Sequence, residues 1–150
     1  MSLQETELEC AANTKAPRVS IADIEAAVQH RIEFTGHDVV SLALLGLANG
    51  DRHTTSVASD GNAEIPRLLD TVRVLSVCIL VTRNGFSVIG KSAPASPENF
   101  NADLGRKLAY EDAVRQLWPL MGFALREKLA DQAGHNGNSL GLSPAAIAGV

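Results

Sequence analysis

The chain has 150 residues, 45% apolar and 20% charged, the composition of a soluble globular domain, which excludes collagen-like, wholly disordered and multidomain chains. Its 13 Lys and Arg stand against 17 Asp and Glu, for a net charge of −4. No global field therefore draws it to nucleic acid or an anionic membrane.

Residues 1–17 mix Glu, Thr, Asn and Lys without apolar periodicity and read as a flexible N-terminal arm ending at Pro17. A single α+β domain is expected over residues 18–132. Ser20 and Asp23 resemble a capping box, and Ile21, Ile24 and Val28 recur at helical spacing, which predicts a helix from about Ile21 to Arg31. Val39 to Ala48, with Asp38 as N-cap and Asn49-Gly50 as a stop, predicts a second helix. Residues 51–66 are polar and aperiodic and read as a long loop.

Val72 to Arg83 is rich in β-branched residues, Asn84-Gly85 suits a type I′ turn, and Phe86 to Ser92 carries a second strand. A two-residue loop would pair Val81 with Val88 and Ile79 with Gly90. It would gather Val77, Ile79, Val81, Phe86 and Val88 on one apolar face that meets the helices. The opposite face, with Ser76, Cys78, Leu80, Thr82, Ser87, Ile89 and Lys91, is mixed. A two-stranded sheet is marginal alone, so a third strand is expected from residues 31–35, from residues 53–58 or from a second subunit. Asn101 or Asp103 then opens the longest helical pattern, with Leu104, Leu108, Val114, Leu117, Trp118, Met121, Leu125 and Leu129 as its apolar stripe and Trp118 as core. Pro119 predicts a kink or break. Residues 133–150 read as a flexible Gly-rich tail.

Cys10 and Cys78 are too few and too differently set for a disulfide framework, and Cys78 reads as an unactivated thiol among aliphatic residues. His30, His37, Asp38, Asp51, His53 and Asp60 lack the spacing of a metal site. There is no G-x-S-x-G, Walker A or dinucleotide fingerprint, so neither metal, cofactor nor catalytic residue is assigned and the chain is not read as an enzyme. The N-terminus lacks the order of a secretory signal, and no apolar run reaches the roughly 18 residues of a membrane span. The best ligand-binding candidate is an anion site around Lys91, Ser92, Arg106, Lys107 and Tyr110, where a strand end, two cations and the amides of a helix start would converge. Asp103 and Glu111 are interleaved with these bases.

Asn84-Gly85-Phe86, Gly90 with Ser92-Ala93, Asn99-Phe100, Gly105-Arg106-Lys107, Tyr110, Ala113, Leu117-Trp118 and Gly122-Phe123 lie between Cys78 and Leu129. Together they resemble a family of small tailed-phage and prophage proteins typified by gene product 49 of a coliphage and gene product 66 of a Shigella phage. The helix from Ile21 resembles that family's start more loosely, and residues 36–70 fall where members vary in length. The resemblance implies phage or prophage origin and action in the cytoplasm of the bacterial host. The family name carries no reaction.

The expected architecture is therefore α+β: a central antiparallel hairpin or small sheet packed by N-terminal helices and a long broken C-terminal helix. The expected function is that of a phage accessory protein that interferes with host physiology or antiphage defence by binding, either inhibiting a host protein or sequestering a small anionic, nucleotide-like signalling ligand. A nucleotide or nucleic-acid binder is the alternative and an unrecognised hydrolase the third reading. Unpaired hairpin edges point to a homodimer or higher oligomer.

Overall fold

The computed structural model describes residues 2–50 and 65–134. In chain order these form α1 (Leu3–Asn13), α2 (Ile21–Ala27), β1 (Val28–Thr35), α3 (Gly36–Ala48), α4 (Ile65–Val72), β2 (Ser76–Thr82), β3 (Ser87–Ser92), a 3-10 turn (Pro97–Asn99) and α5 (Ala102–Gln132). The chain divides into two compact units. One is Ala22–Leu117; the other joins the N-terminal stretch through Ile21 to the chain from Trp118 onward.

In the second unit, the segment expected as an arm carries α1. Its start is closed by a reciprocal capping box: the Glu5 amide donates to Ser2 Oγ at 3.2 Å and the Ser2 amide to Glu5 Oε2 at 2.7 Å. Leu3 is buried, and beyond Pro17 Arg18 pairs with Glu7 at 2.8 Å. Local capping defines this helix more than an apolar stripe does, so periodicity does not reveal it. Trp118 is half-buried, and its indole N–H donates to the Val19 carbonyl at 3.2 Å. α5 continues through Pro119 without the expected break. An interior proline removes one ladder bond, and the remaining bonds carry the helix on. Of the expected loop 51–66, residues 51–64 lie outside the described residues and Ile65 and Pro66 open α4; of the expected tail 133–150, residues 135–150 lie outside them.

The Ala22–Leu117 unit is built on a three-stranded antiparallel sheet of order β1-β2-β3. The helix expected to reach Arg31 ends at Ala27. From Arg31 the pattern alternates, with Arg31 and Glu33 on one side and Ile32 and Phe34 on the other, which is strand periodicity. β1 thus supplies the third strand from the stretch that includes residues 31–35; residues 53–58 lie outside the described residues.

The hairpin turn differs from expectation by one residue, and that difference exchanges the sheet's faces. The Thr82 amide donates to the Phe86 carbonyl at 2.8 Å and the Gly85 amide to the Thr82 carbonyl at 2.9 Å. The loop therefore holds three residues, Arg83, Asn84 and Gly85. Only Gly85 takes a positive φ, +84°, as in a type I turn closed by a left-handed glycine. Asn84 acts through its side chain instead, its Oδ1 accepting from the Phe86 amide at 3.1 Å and from Thr82 Oγ1 at 2.5 Å. Leu80 then pairs with Val88 and Cys78 with Gly90. A one-residue slip moves every side chain of β3 to the other face relative to β2.

The covered face consequently holds Ser76, Cys78, Leu80, Thr82, Val88 and Gly90, all buried, and the face expected to meet the helices is the open one. α5 lies against Gly90, where an added Cβ would collide with the Ala109 carbonyl oxygen, the Ala113 amide and, at 2.8 Å, the Ala113 Cβ. Gly105 likewise lies against Ser76. Within this unit the helix buries Gly105, Ala109, Ala113, Val114 and Leu117, whereas Leu104 and Leu108 of the expected stripe are exposed. Small residues face the sheet because the helix backbone itself sits within contact distance of a strand.

Thr35 ends β1 and caps α3. Its amide and hydroxyl donate to Asp38 Oδ2 at 3.0 and 2.7 Å, and its Oγ1 accepts from the Asp38 amide at 3.2 Å. The N-cap is therefore Thr35, and Asp38 is its return partner three residues on. The Thr35 hydroxyl first and its amide second hold the Asp38 carboxyl below its ordinary value.

Gly90→Ala is expected to destabilise the protein by about 3 kcal/mol or more, the upper range for overpacking a filled core. Gly122→Ala, where an added Cβ meets nothing within 4 Å, should stabilise the helix by up to about 1 kcal/mol. Chemical denaturation of the two variants beside the wild type checks both signs. A depressed carboxyl stabilises the fold above its unfolded pKa and ceases to do so as pH falls through its folded pKa. The stability gap between wild type and Asp38→Asn should therefore be full at about pH 6 and close towards about pH 2, as read from denaturation midpoints across that range.

Candidate functional site

Of the five residues expected to form an anion site, Lys91, Arg106 and Tyr110 engage three different partners. Ser92 ends β3 and, with Pro94, Phe100, Leu104 and Leu108, lines a small cavity of about 110 Å³. Asn101 caps α5: its Oδ1 accepts from the Asp103 and Leu104 amides, both at 3.0 Å, so those two helix-start donors are already engaged. Arg106 pairs with Asp103. The Lys91 amide donates to Asp112, and the Lys107 side chain is exposed. Tyr110 belongs to another cluster.

That cluster joins β1 to α5. The guanidinium carbon of Arg31 stands 4.0 Å from the centroid of the Tyr110 ring, a cation–π contact, and Arg31 pairs with Glu33 on its own strand at 2.5 Å. Glu33 is register partner of Cys78. Burial first and the Glu33 carboxylate second push the Cys78 thiol above its ordinary value, which keeps it protonated and a poor nucleophile at neutral pH. Burial, then Glu25, does the same to the Tyr110 hydroxyl. The cluster fixes β1 to the helix. Sequence periodicity does not identify Arg31 or Glu33, because the helical pattern of Ile21, Ile24 and Val28 extends over them; the alternation from Arg31 to Thr35 is the available signal.

The other side of the sheet carries a different surface. Register aligns Ile32 with Ile79 and Ile79 with Ile89, one isoleucine from each strand in a single row. Phe34 and Val77 flank the row on one side and Val81 on the other. Ile32 is 49% and Ile89 57% exposed. Such a row, without a charged residue in it, is suited to excluding water against another apolar surface.

The two edges of the sheet are treated unequally. Because Thr82 bonds to Phe86, alternation of the ladder turns the peptide groups of Ile89 and Lys91 outward, away from β2. Two side chains of α5 take them: Asp112 Oδ2 accepts from the Lys91 amide at 3.0 Å, and Gln116 Nε2 donates to the Ile89 carbonyl at 2.8 Å. Gln116 also donates to Asp112 at 3.3 Å. These groups stand where a neighbouring strand would bond, and they close the β3 edge. The same alternation turns the peptide groups of Arg31 and Glu33 outward on the far side of β1, where no strand pairs among the described residues.

The second unit contains an open cleft of about 480 Å³ whose lining includes Cys10, Arg18, Trp118, Leu125 and Arg126. Among the described residues no three His, Cys, Asp or Glu side chains assemble as metal ligands, and no helix is long and apolar enough to cross a membrane. His53, Asp51 and Asp60 lie outside the described residues.

No curated protein and no solved structure matches the chain. The model of one protein family, described as "Phage protein (N4 Gp49/phage Sf6 gene 66) family", matches residues 19–129. The matched stretch takes in all three strands, the glycines under α5 and the paired side chains that close β3. The chain belongs to this phage protein family.

Proposed function

We propose that this phage protein acts inside the infected bacterium by binding a host protein, and that it interferes with host physiology or antiphage defence without catalysing a reaction. The observation that carries the reading is the row Ile32, Ile79 and Ile89 on the open face of the sheet. Two of its three members are about half exposed, and burying a side chain of this kind is worth about 1.5–3 kcal/mol. A rigid sheet supplies a preorganised platform, so little ordering entropy is spent on binding. Two of the candidate cations are engaged with carboxylates, Arg31 with Glu33 and Arg106 with Asp103.

Sequestration of a small ligand is the second reading, favoured by the cleft in which Trp118 and Arg126 take part. An aromatic ring and a guanidinium in one wall suit a planar anion.

Affinity capture from infected cells followed by mass spectrometry tests the first reading. The wild type should retain a host protein that Ile89→Lys, with an unchanged melting temperature, loses. Equal recovery by both proteins, or recovery of no host protein by either, overturns it. A bound metabolite that is lost in Trp118→Ala and kept in Ile89→Lys would establish the second reading instead.

A further inference from the structure

We propose that a second copy of this chain pairs with the edge of β1 that no described strand covers, antiparallel and with Ile32 on the twofold axis, to make one continuous six-stranded sheet of order β3-β2-β1-β1-β2-β3. The inference is independent of the host-protein reading, because it rests on the edge of the sheet and not on its face.

Three observations carry it. The first is the asymmetry of the edges: Asp112 and Gln116 close β3, whereas no described strand pairs with the outward peptide groups of Arg31 and Glu33. An eight-residue edge strand left open is a template for another strand.

The second is charge. Hydrogen-bonded pairing requires the outward residues of one copy to meet outward residues of the other. Centring the axis on Arg31 sets Arg31 opposite Arg31, and centring it on Glu33 sets Glu33 opposite Glu33; like charges directly opposite are destabilising. Centring it on Ile32 sets Arg31 opposite Glu33 at both ends of the junction. The two pairs exchange four backbone hydrogen bonds, and with the ion pair already present within each strand they form a ring of four alternating charges. The pairing stops at Thr35, whose amide already donates to Asp38.

The third is the face. In this register Ile32 meets Ile32 in a close, non-hydrogen-bonded pair. The row from Ile89 through Ile79 to Ile32 then runs unbroken across both copies, and Ile32 gains an apolar neighbour on its open side.

Charge reversal tests the register. By light scattering the wild type should have twice the 15.8 kDa chain mass, while Arg31→Glu and Glu33→Arg should each have the mass of one chain. An equimolar mixture of the two variants should regain the doubled mass, because every junction pair in that heterodimer is again of opposite charge. A wild type that remains a single chain at about 100 μM, a concentration at which a dimer with Kd of about 1 μM is well formed, overturns the proposal. So do charge variants that remain dimeric alone, or folded variants whose mixture stays monomeric. A second measurement does not depend on those variants folding. In a Cys10→Ser background, Ile32→Cys should form an intermolecular disulfide on mild oxidation, and His30→Cys, which faces Phe34 in this register, should not. Equal cross-linking of both, or of neither, rejects the register.

Discussion

The approach of α5 to Gly90 sets the terms for the rest of the Ala22–Leu117 unit. A helix can lie with its peptide backbone against a strand only where the strand has no side chain and the helix has small ones. Gly90 meets both conditions with Ala109 and Ala113, and Gly105 repeats the arrangement over Ser76. That fit decides which face of the sheet is inside. The face with the larger hydrophobic side chains, which burial alone would favour, is left open because its isoleucines would hold the helix away. Close packing of small residues has taken precedence over the transfer energy of a few methylenes.

The two sides of the sheet consequently have different physical characters. On the inner side, Cys78 and Leu80 are fully buried and the polar groups at the rim are tied together through Arg31, Tyr110, Glu33 and Glu111 with Arg115. On the outer side, apolar side chains stand in register with solvent against them. Burial pushes the Cys78 thiol and the Tyr110 hydroxyl away from their ionised forms, so the chemistry of the inner side is cohesive. The outer side and the β1 edge are the surfaces on which the proposed binding rests.

The sequence is informative about this architecture where its signals are local and consistent. Asn84-Gly85 between two β-branched runs locates the hairpin, and Asn101 with the repeat beyond it locates α5. The charged and aromatic residues near the strand-to-helix junction are found as individuals, but their partners are not. Tyr110 is bound by Arg31, about eighty residues away in sequence, and Arg106 is neutralised within its own helix turn. The register of the hairpin is not legible in the turn because Asn84-Gly85 is compatible with two loop lengths, and the choice depends on Gly90 fitting beneath α5, which is remote from the turn in sequence. β1 was hidden because Val28 continues the spacing of Ile21 and Ile24, so a helical stripe runs into a strand without punctuation. α1 is not legible in the pattern because it begins in a reciprocal cap between Ser2 and Glu5, a signal that is weak in the absence of an apolar stripe.

The side chains that close the β3 edge come from 21 and 27 residues beyond the peptide groups they bind. On a chain emerging from the ribosome, β3 therefore leaves ahead of Asp112 and Gln116, the residues that seal it. The helix that packs on Gly90 is also the one that carries Asp112 and Gln116 to the edge. Had the turn closed as a two-residue loop, Lys91 would stand opposite Cys78 in place of Gly90. The helix could not come near, and Asp112 and Gln116 would not reach the strand. A misregistered chain would then keep an unsealed β3 edge, so the contact that packs the core and the contacts that close the edge depend on one register.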